Sequence, residues 1–263
     1  MMAVGISEDD IHPFLGSIKS QFETCEVYVA CINSPQSITL SGDEKQIDAL
    51  GSILDEASIF NRKLKVDVPY HSPRMKTIAS EYQRLLGKLE PGEKSENAPR
   101  MMSSLRGRQV TQEEVNKSQY WIDNLTSPVR FSEAVALLYQ KSGKEAGAGN
   151  ILPDTLLEIG PHSALQGPVK DTLKELPSKP SMEYISCLLR QKPSIDTFLS
   201  SLGKLACRGH AVDLSKINNS GKQAKMLTDL PAYPFNHSQS YMFDGIIDKG
   251  YRLRSTPRHD LLG

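Results

Sequence analysis

The first 68 residues alternate between a two-residue and a 3.6-residue hydrophobic period, and that alternation constrains the fold more than any other feature of the chain. Met2 to Ile6 reads as a short strand. Ser7, followed three residues later by Asp10, resembles the N-terminal box of a helix that presents Ile11, Phe14, Leu15 and Ile18 on one face, with Pro13 in its first turns. Glu26 to Asn33 is β-branched and aromatic enough for a strand, Ser34-Pro35-Gln36 turns it, and Ser37 to Gly42 returns as a hairpin partner. Asp43 caps a second helix whose apolar positions are Ile47, Leu50, Ile53, Leu54 and Ala57. Lys63 to Val68 alternates as the last strand.

The resulting order, βαββαβ, is the ferredoxin-like arrangement. Beyond residue 71 the pattern becomes α/β. A helix starting at Pro73 carries Met75, Ile78, Ala79, Tyr82, Leu85 and Leu86, and Lys88 to Pro99 is a polar loop. Met101 to Val110 holds two short strands. Glu113 to Leu125 and Ser132 to Lys141 are helical patterns separated by Ser127-Pro128, and Gly143 to Asn150 is a small-residue loop. Thr155 to Ile159 is a strand ending in Gly160-Pro161, with a helix from Ser163. Met182 to Leu189 is a further strand, and the helix Ser194 to Arg208 presents Ile195, Phe198, Leu199, Leu202 and Leu205. From Asp213 the periodicity fades into polar connector, and Leu230 to Asn236 is too proline-rich for a central strand.

Composition narrows the function. The 31 Lys and Arg cancel the 31 Asp and Glu, so the chain lacks the basic footprint of a nucleic-acid binder. Apolar runs such as Ala134 to Tyr139 fall far short of the ~18 residues of a membrane span. The N-terminus turns acidic at Glu8-Asp9-Asp10, unlike a secretory signal, and reads like an interior strand. Cys25, Cys31, Cys187 and Cys207 form no C-x-x-C pair, which argues against zinc and disulfides and for reduced thiols in a cytoplasmic protein.

The sharpest local feature is Val68-Pro69-Tyr70-His71-Ser72-Pro73, at the junction of the two patterns. Junctions between lobes favour ligand sites, and a histidine on a proline-bracketed turn can take and return a proton near neutrality. On spacing alone, a solvated loop histidine is the commoner explanation. His210 and His237 read as solvated, Asp154 and Glu158 show no paired-carboxylate logic, Lys216 to Lys225 read as a solvated linker face, and Trp121 reads as core.

Taken together, Asn33-Ser34-Pro35, Ser41-Gly42, Tyr70-His71-Ser72-Pro73-Arg74-Met75, Trp121 to Leu125, Pro128-Val129-Arg130-Phe131 and Leu157 to His162 resemble the acyltransferase domain of type I polyketide synthases, the malonyl-CoA:acyl carrier protein transacylase family. Leu230 to Phe235 with His237, Tyr241 and Phe243 looks like the linker after such domains, with Met242 where tryptophan is commoner. Arg258 to Gly263 looks like the opening of the dehydratase domain of fungal highly reducing synthases.

The resemblance implies an α/β fold in four parts. Residues 1–68 would be a ferredoxin-like α+β small subdomain and 69–212 the C-terminal part of an α/β-hydrolase-like large subdomain. Residues 213–257 would be an irregular linker and 258–263 the start of a dehydratase. It implies transfer of malonyl from malonyl-CoA through a serine to the phosphopantetheine thiol of an acyl carrier protein, with no cofactor bound by this chain. His71 matches the general base, which serine chemistry requires. The backbone carbonyl near Arg130 matches the group that orients the imidazole, and Tyr70, Asn33 and His162 fall at substrate-binding positions. A bulky ring at Tyr70 favours malonyl over methylmalonyl, although one methyl supplies only about 1–3 kcal/mol. For His162 a structural turn capping the next helix is the commoner role.

One element of the family pattern is missing. No G-x-S-x-G elbow occurs in the 263 residues: Ser17 follows Gly16 without a second glycine, and Ser163 follows Gly160-Pro161-His162. The arginine that grips the malonyl carboxylate in the family also lies upstream of the matching region. The expectation is a fragment of a polyketide synthase acyltransferase, holding the histidine but not the serine and inactive alone. The alternatives are a non-catalytic truncated product, a carrier-protein docking module, or a hydrolase using His71 with another nucleophile.

Overall fold

The computed structural model describes residues 1–92, 99–139, 152–218, 227–236, 238 and 245–253. Residues 143–150 and 258–263, together with His237, Tyr241, Met242 and Phe243, lie outside them. The chain divides into two units, residues 1–211 and residues 212–263.

The larger unit begins with β1 (Met2–Val4), α1 (His12–Phe22), β2 (Val27–Ser34), β3 (Ser37–Gly42), α2 (Glu44–Glu56) and β4 (Asn61–Lys63). The sheet order is β4-β1-β3-β2, with each of these neighbours antiparallel. Alternation puts Met2, Val4, Val27, Ile38 and Leu40 against Ile11 and Ile18 of the first helical segment and Ile47, Leu50 and Leu54 of α2, all nearly inaccessible. Asp43 caps α2, its Oδ1 accepting the backbone N–H groups of Lys45 (3.0 Å) and Gln46 (3.2 Å). A side chain at Gly42 would overlap the Glu26 carbonyl, so the end of the β2–β3 hairpin requires glycine.

Two local expectations need correction. The Ser7–Asp10 box forms (Asp10 N–H to Ser7 Oγ, 3.1 Å), but it closes a turn, and α1 starts only at His12, with its proline in the first turn. The last strand is Asn61–Lys63 and not Lys63–Val68. It pairs with β1 from Val4↔Asn61 to Met2↔Lys63, the Leu64 N–H donates to the Met1 carbonyl, and residues 65–68 pair with no strand among the described residues. Val66 and Val68 alternate but stay more than one-third exposed.

A 3₁₀ turn at Pro73–Met75 leads into α3 (Lys76–Leu86), and β5 (Met101–Ser103) and β6 (Arg108–Val110) form a hairpin. The expected helix 113–125 is two helices, α4 (Gln112–Val115) and α5 (Ser118–Thr126). Thr111 and Glu114 make a complete capping box on α4, Lys117 is extended, and the Trp121 indole N–H takes the Val115 carbonyl (2.8 Å) at the end of α4. β7 (Val129–Arg130), unforeseen in the sequence, extends the first sheet parallel to β2. Next come α6 (Phe131–Leu138), β8 (Thr155–Glu158), α7 (Gln166–Glu175), β9 (Glu183–Ser186) and α8 (Ser194–Cys207). β8 and β9 are parallel and joined through α7, and Val135, Tyr139, Val169 and Leu173 form the core beneath them.

In the smaller unit two short helices, α9 (Leu214–Asn218) and α10 (Ile246–Arg252), interrupt what the sequence reads as plain connector. The Tyr233 and Phe235 rings pack 4.6 Å apart within the proline-rich segment.

Candidate functional site

Val68 to Pro73 forms a turn held from within. The Tyr70 N–H donates to the Val68 carbonyl (3.0 Å), and the fully buried Ser72 hydroxyl donates to the Pro69 carbonyl (2.7 Å). Pro73 opens the 3₁₀ turn, where a missing N–H costs nothing. His71 sits at φ 57°, the left-handed region that non-glycine residues enter rarely, histidine more often than most.

Two bonds to the end of α5 fix that conformation. The His71 backbone N–H donates to the Leu125 carbonyl (3.1 Å), and its ring Nδ1 lies 2.9 Å from the Asn124 carbonyl oxygen. A carbonyl only accepts, so Nδ1 carries the proton and Nε2 presents its lone pair. The final carbonyls of a helix carry the negative end of its dipole, which suits a ring that acquires positive charge. Beside the turn, Val68, Pro69, Met75 and Ile78 line an open groove of about 430 Å³ that also includes the Arg74–Glu26 ion pair (2.5 Å).

The carbonyl facing Nδ1 belongs to Asn124 and not to Arg130. The Arg130 N–H donates to the Ser104 carbonyl (2.6 Å), its residue pairs with Ile32 in the sheet, and its guanidinium binds Glu133 (2.8 and 2.7 Å). Pro128, four residues after Asn124, marks that carbonyl in the sequence, because a proline there deprives the Asn124 carbonyl of its helical partner.

Tyr70 adjoins His71 and is 40% exposed. Asn33 donates from Nδ2 to Thr39 Oγ1 (3.0 Å) across the β2–β3 hairpin. His162 accepts the Arg190 backbone N–H at Nδ1 (3.1 Å). Its loop is held by Glu158, whose Oε1 accepts the N–H groups of Ala164 (3.1 Å) and Leu165 (3.3 Å) while Oε2 accepts the Tyr184 hydroxyl (2.5 Å). Among the described residues no hydrogen bond joins Asn33, Arg130 or His162 to His71, and no hydroxyl or thiol bonds to its Nε2. Burial pushes the Cys31 thiol up to about 11, which leaves it a poor nucleophile. No metal-binding cluster occurs among the described residues, and no described helix is long and apolar enough to cross a membrane.

The turn therefore presents an imidazole oriented through Nδ1, with the Nε2 lone pair left bare. The family model described as "Acyl transferase domain" matches residues 17–212. Along its full length the chain is 38% identical to "Highly reducing polyketide synthase NEC1" of Pyricularia oryzae and 40% identical to "Highly reducing polyketide synthase 2" of Gibberella zeae. It spans about a tenth of the length of each (10%). The loading acyltransferase of the avermectin synthase superposes with a TM-score of 0.64 at 27% identity, over 78% of this chain and 58% of that one. The acyltransferase domain of the second salinomycin module gives 0.60 at 27%, over 81% and 45%. The mixed α/β fold is that of polyketide synthase acyltransferase domains. By family match over most of its residues and by identity along its whole length, the chain belongs to the acyl transferase domains of the polyketide synthases.

Proposed function

We propose that this chain supplies the general-base half of a malonyl transferase. In this reading His71 Nε2 takes the proton of a serine hydroxyl as the oxygen attacks the thioester carbonyl of malonyl-CoA, coenzyme A leaves as its thiol, and the acyl-serine ester forms. The same ring then accepts the proton of a carrier protein's phosphopantetheine thiol, which displaces the serine. The observation that carries the proposal is the 2.9 Å contact from Nδ1 to the Asn124 carbonyl, because it fixes the tautomer the base needs. The 263 residues contain no G-x-S-x-G, so the serine comes from polypeptide outside them.

Several finer roles belong to the same proposal. The four-strand unit up to residue 68 acts as the ferredoxin-like small lobe, the α/β part to residue 212 as the later portion of the large lobe, and the remainder as linker toward a dehydratase. Tyr70, exposed next to the base, narrows the space for a branched acyl group and tilts selection toward malonyl. Asn33 and His162 act on substrate through Oδ1 and Nε2, since Thr39 engages only Nδ2 of the amide and Arg190 only Nδ1 of the ring. Work of this kind uses soluble coenzyme A thioesters and places the parent synthase in the cytoplasm.

The test is covalent labelling. Radiolabelled malonyl-CoA should leave no label on the 263-residue chain and should label a polypeptide extended upstream through a serine elbow. Label on a serine within the 263 residues, or no label on the extended polypeptide, would overturn the reading.

A further inference from the structure

We infer that Pro128 is a positioning residue for His71, acting through the backbone N–H it lacks. In an α-helix the carbonyl of residue i takes the N–H of residue i+4. For Asn124 that residue is Pro128, which has none. The last helical bond of α5 is Ser127 N–H to the Asp123 carbonyl (2.9 Å), and Ser127 itself is extended (φ −118°, ψ 159°), the conformation a following proline favours. Val129, the helical partner Leu125 would otherwise have, lies in β7 beside Cys31.

Of the carbonyls that the end of the helix leaves without a helical partner, those of Asn124 and Leu125 are taken by the same residue. Leu125 holds the His71 backbone at 3.1 Å and Asn124 holds Nδ1 at 2.9 Å. An N–H at position 128 would let α5 run on and claim the Asn124 carbonyl, leaving Nδ1 to water. The ring would then lose its preference for Nδ1–H, and with it the exposed lone pair on Nε2. Left-handed backbone at a non-glycine residue persists only where its surroundings hold it, and the same two bonds do so here. The use of this tautomer in acyl transfer rests on the function proposed above, whereas the tautomer itself does not.

The experiment is nitrogen NMR of the full chain with labelled histidine, at a pH where the His71 ring is neutral, on three proteins. The parent should show Nδ1 protonated and Nε2 bare. Pro128→Ala should shift the ring toward the Nε2–H form that free imidazole prefers, and exchange of the new residue-128 amide should slow by about tenfold or more as it enters the helix. Lactic acid incorporated at position 128 gives an ester that lacks both the N–H and the ring, and it should keep the parent tautomer. An unchanged tautomer in Pro128→Ala overturns the inference. So does loss of the Nδ1–H form, or of the fold, in both variants, which would assign the effect to the proline ring. Unfolding of Pro128→Ala alone, with the ester variant folded and parent-like, still assigns it to the N–H. None of these readouts involves malonyl transfer, so failure here and failure of the proposed function are separate results.

Discussion

The imidazole Nδ1 of His71 lies 2.9 Å from the carbonyl oxygen of Asn124, a residue 53 positions later in the chain. This contact separates what the ring does chemically from what it does for the fold. Asparagine tolerates left-handed backbone and keeps an amide donor near the position of Nδ1, but it cannot accept a serine proton. In a polypeptide that includes the upstream serine, His71→Asn should lower malonyl transfer by about 10²–10⁴ while changing unfolding free energy by less than about 1 kcal/mol. His71→Ala should lose as much activity and more stability. Transfer by His71→Asn at half the parent rate would remove the ring from the chemistry.

The turn carrying the histidine depends on one buried hydroxyl. Ser72 is fully inaccessible and donates to the Pro69 carbonyl at 2.7 Å. Ser72→Ala leaves that carbonyl without its partner and should cost about 1–3 kcal/mol in urea unfolding. A cost under about 0.5 kcal/mol, within the range of ordinary surface changes, would show that the turn holds itself by its prolines alone.

The elements that declare themselves in the sequence are those whose signals are local. Asp43 caps α2 from one residue before its start, and the 3.6 period of Ile47, Leu50 and Leu54 gives its buried face. Where a partner decides, the pattern misleads. Lys63 to Val68 alternates as a strand should, yet of these residues only Lys63 lies in the ladder with β1, and Val66 and Val68 stay more than one-third exposed. Glu113 to Leu125 reads as one helix because the break at Lys117 is set by a capping box on one side and by Trp121 reaching back to Val115 on the other. The histidine turn is legible in Tyr70-His71-Ser72-Pro73. The carbonyl that faces its ring is not, because backbone atoms leave no mark in a sequence except where a proline removes one.

Tyr184 should give the fold an alkaline limit. Burial first, and then its hydrogen bond to the Glu158 carboxylate, raise the phenol well above its ordinary value of 10. A folded value above the unfolded one contributes stability that is complete below about pH 10 and declines as the pH rises past it. Tyr184→Phe removes that slope along with the hydrogen bond. The variant should be about 1–2 kcal/mol less stable near neutrality, with the gap narrowing between about pH 10 and 12. A gap that stays constant over that range would mean the phenol titrates alike in folded and unfolded chains.

The acid side has a separate sensor. The Arg108 guanidinium (2.5 Å) and the Thr111 backbone N–H (3.0 Å) hold the Glu114 carboxyl down to about 2, from an ordinary 4.5. A lowered folded value works in the opposite sense: its contribution is present above pH 4.5 and is lost as the pH falls toward about 2. Glutamine still fits the capping box at this position but brings no charge to Arg108. Glu114→Gln should therefore be less stable than the parent near neutrality and should converge with it as the pH drops through that window. Because the pair is open to solvent, added salt should shrink the neutral-pH difference as well. Denaturation curves that run parallel from pH 5 to pH 2 would contradict the assignment. Convergence without any salt effect would place the coupling in the Thr111 hydrogen bond and not in the ion pair.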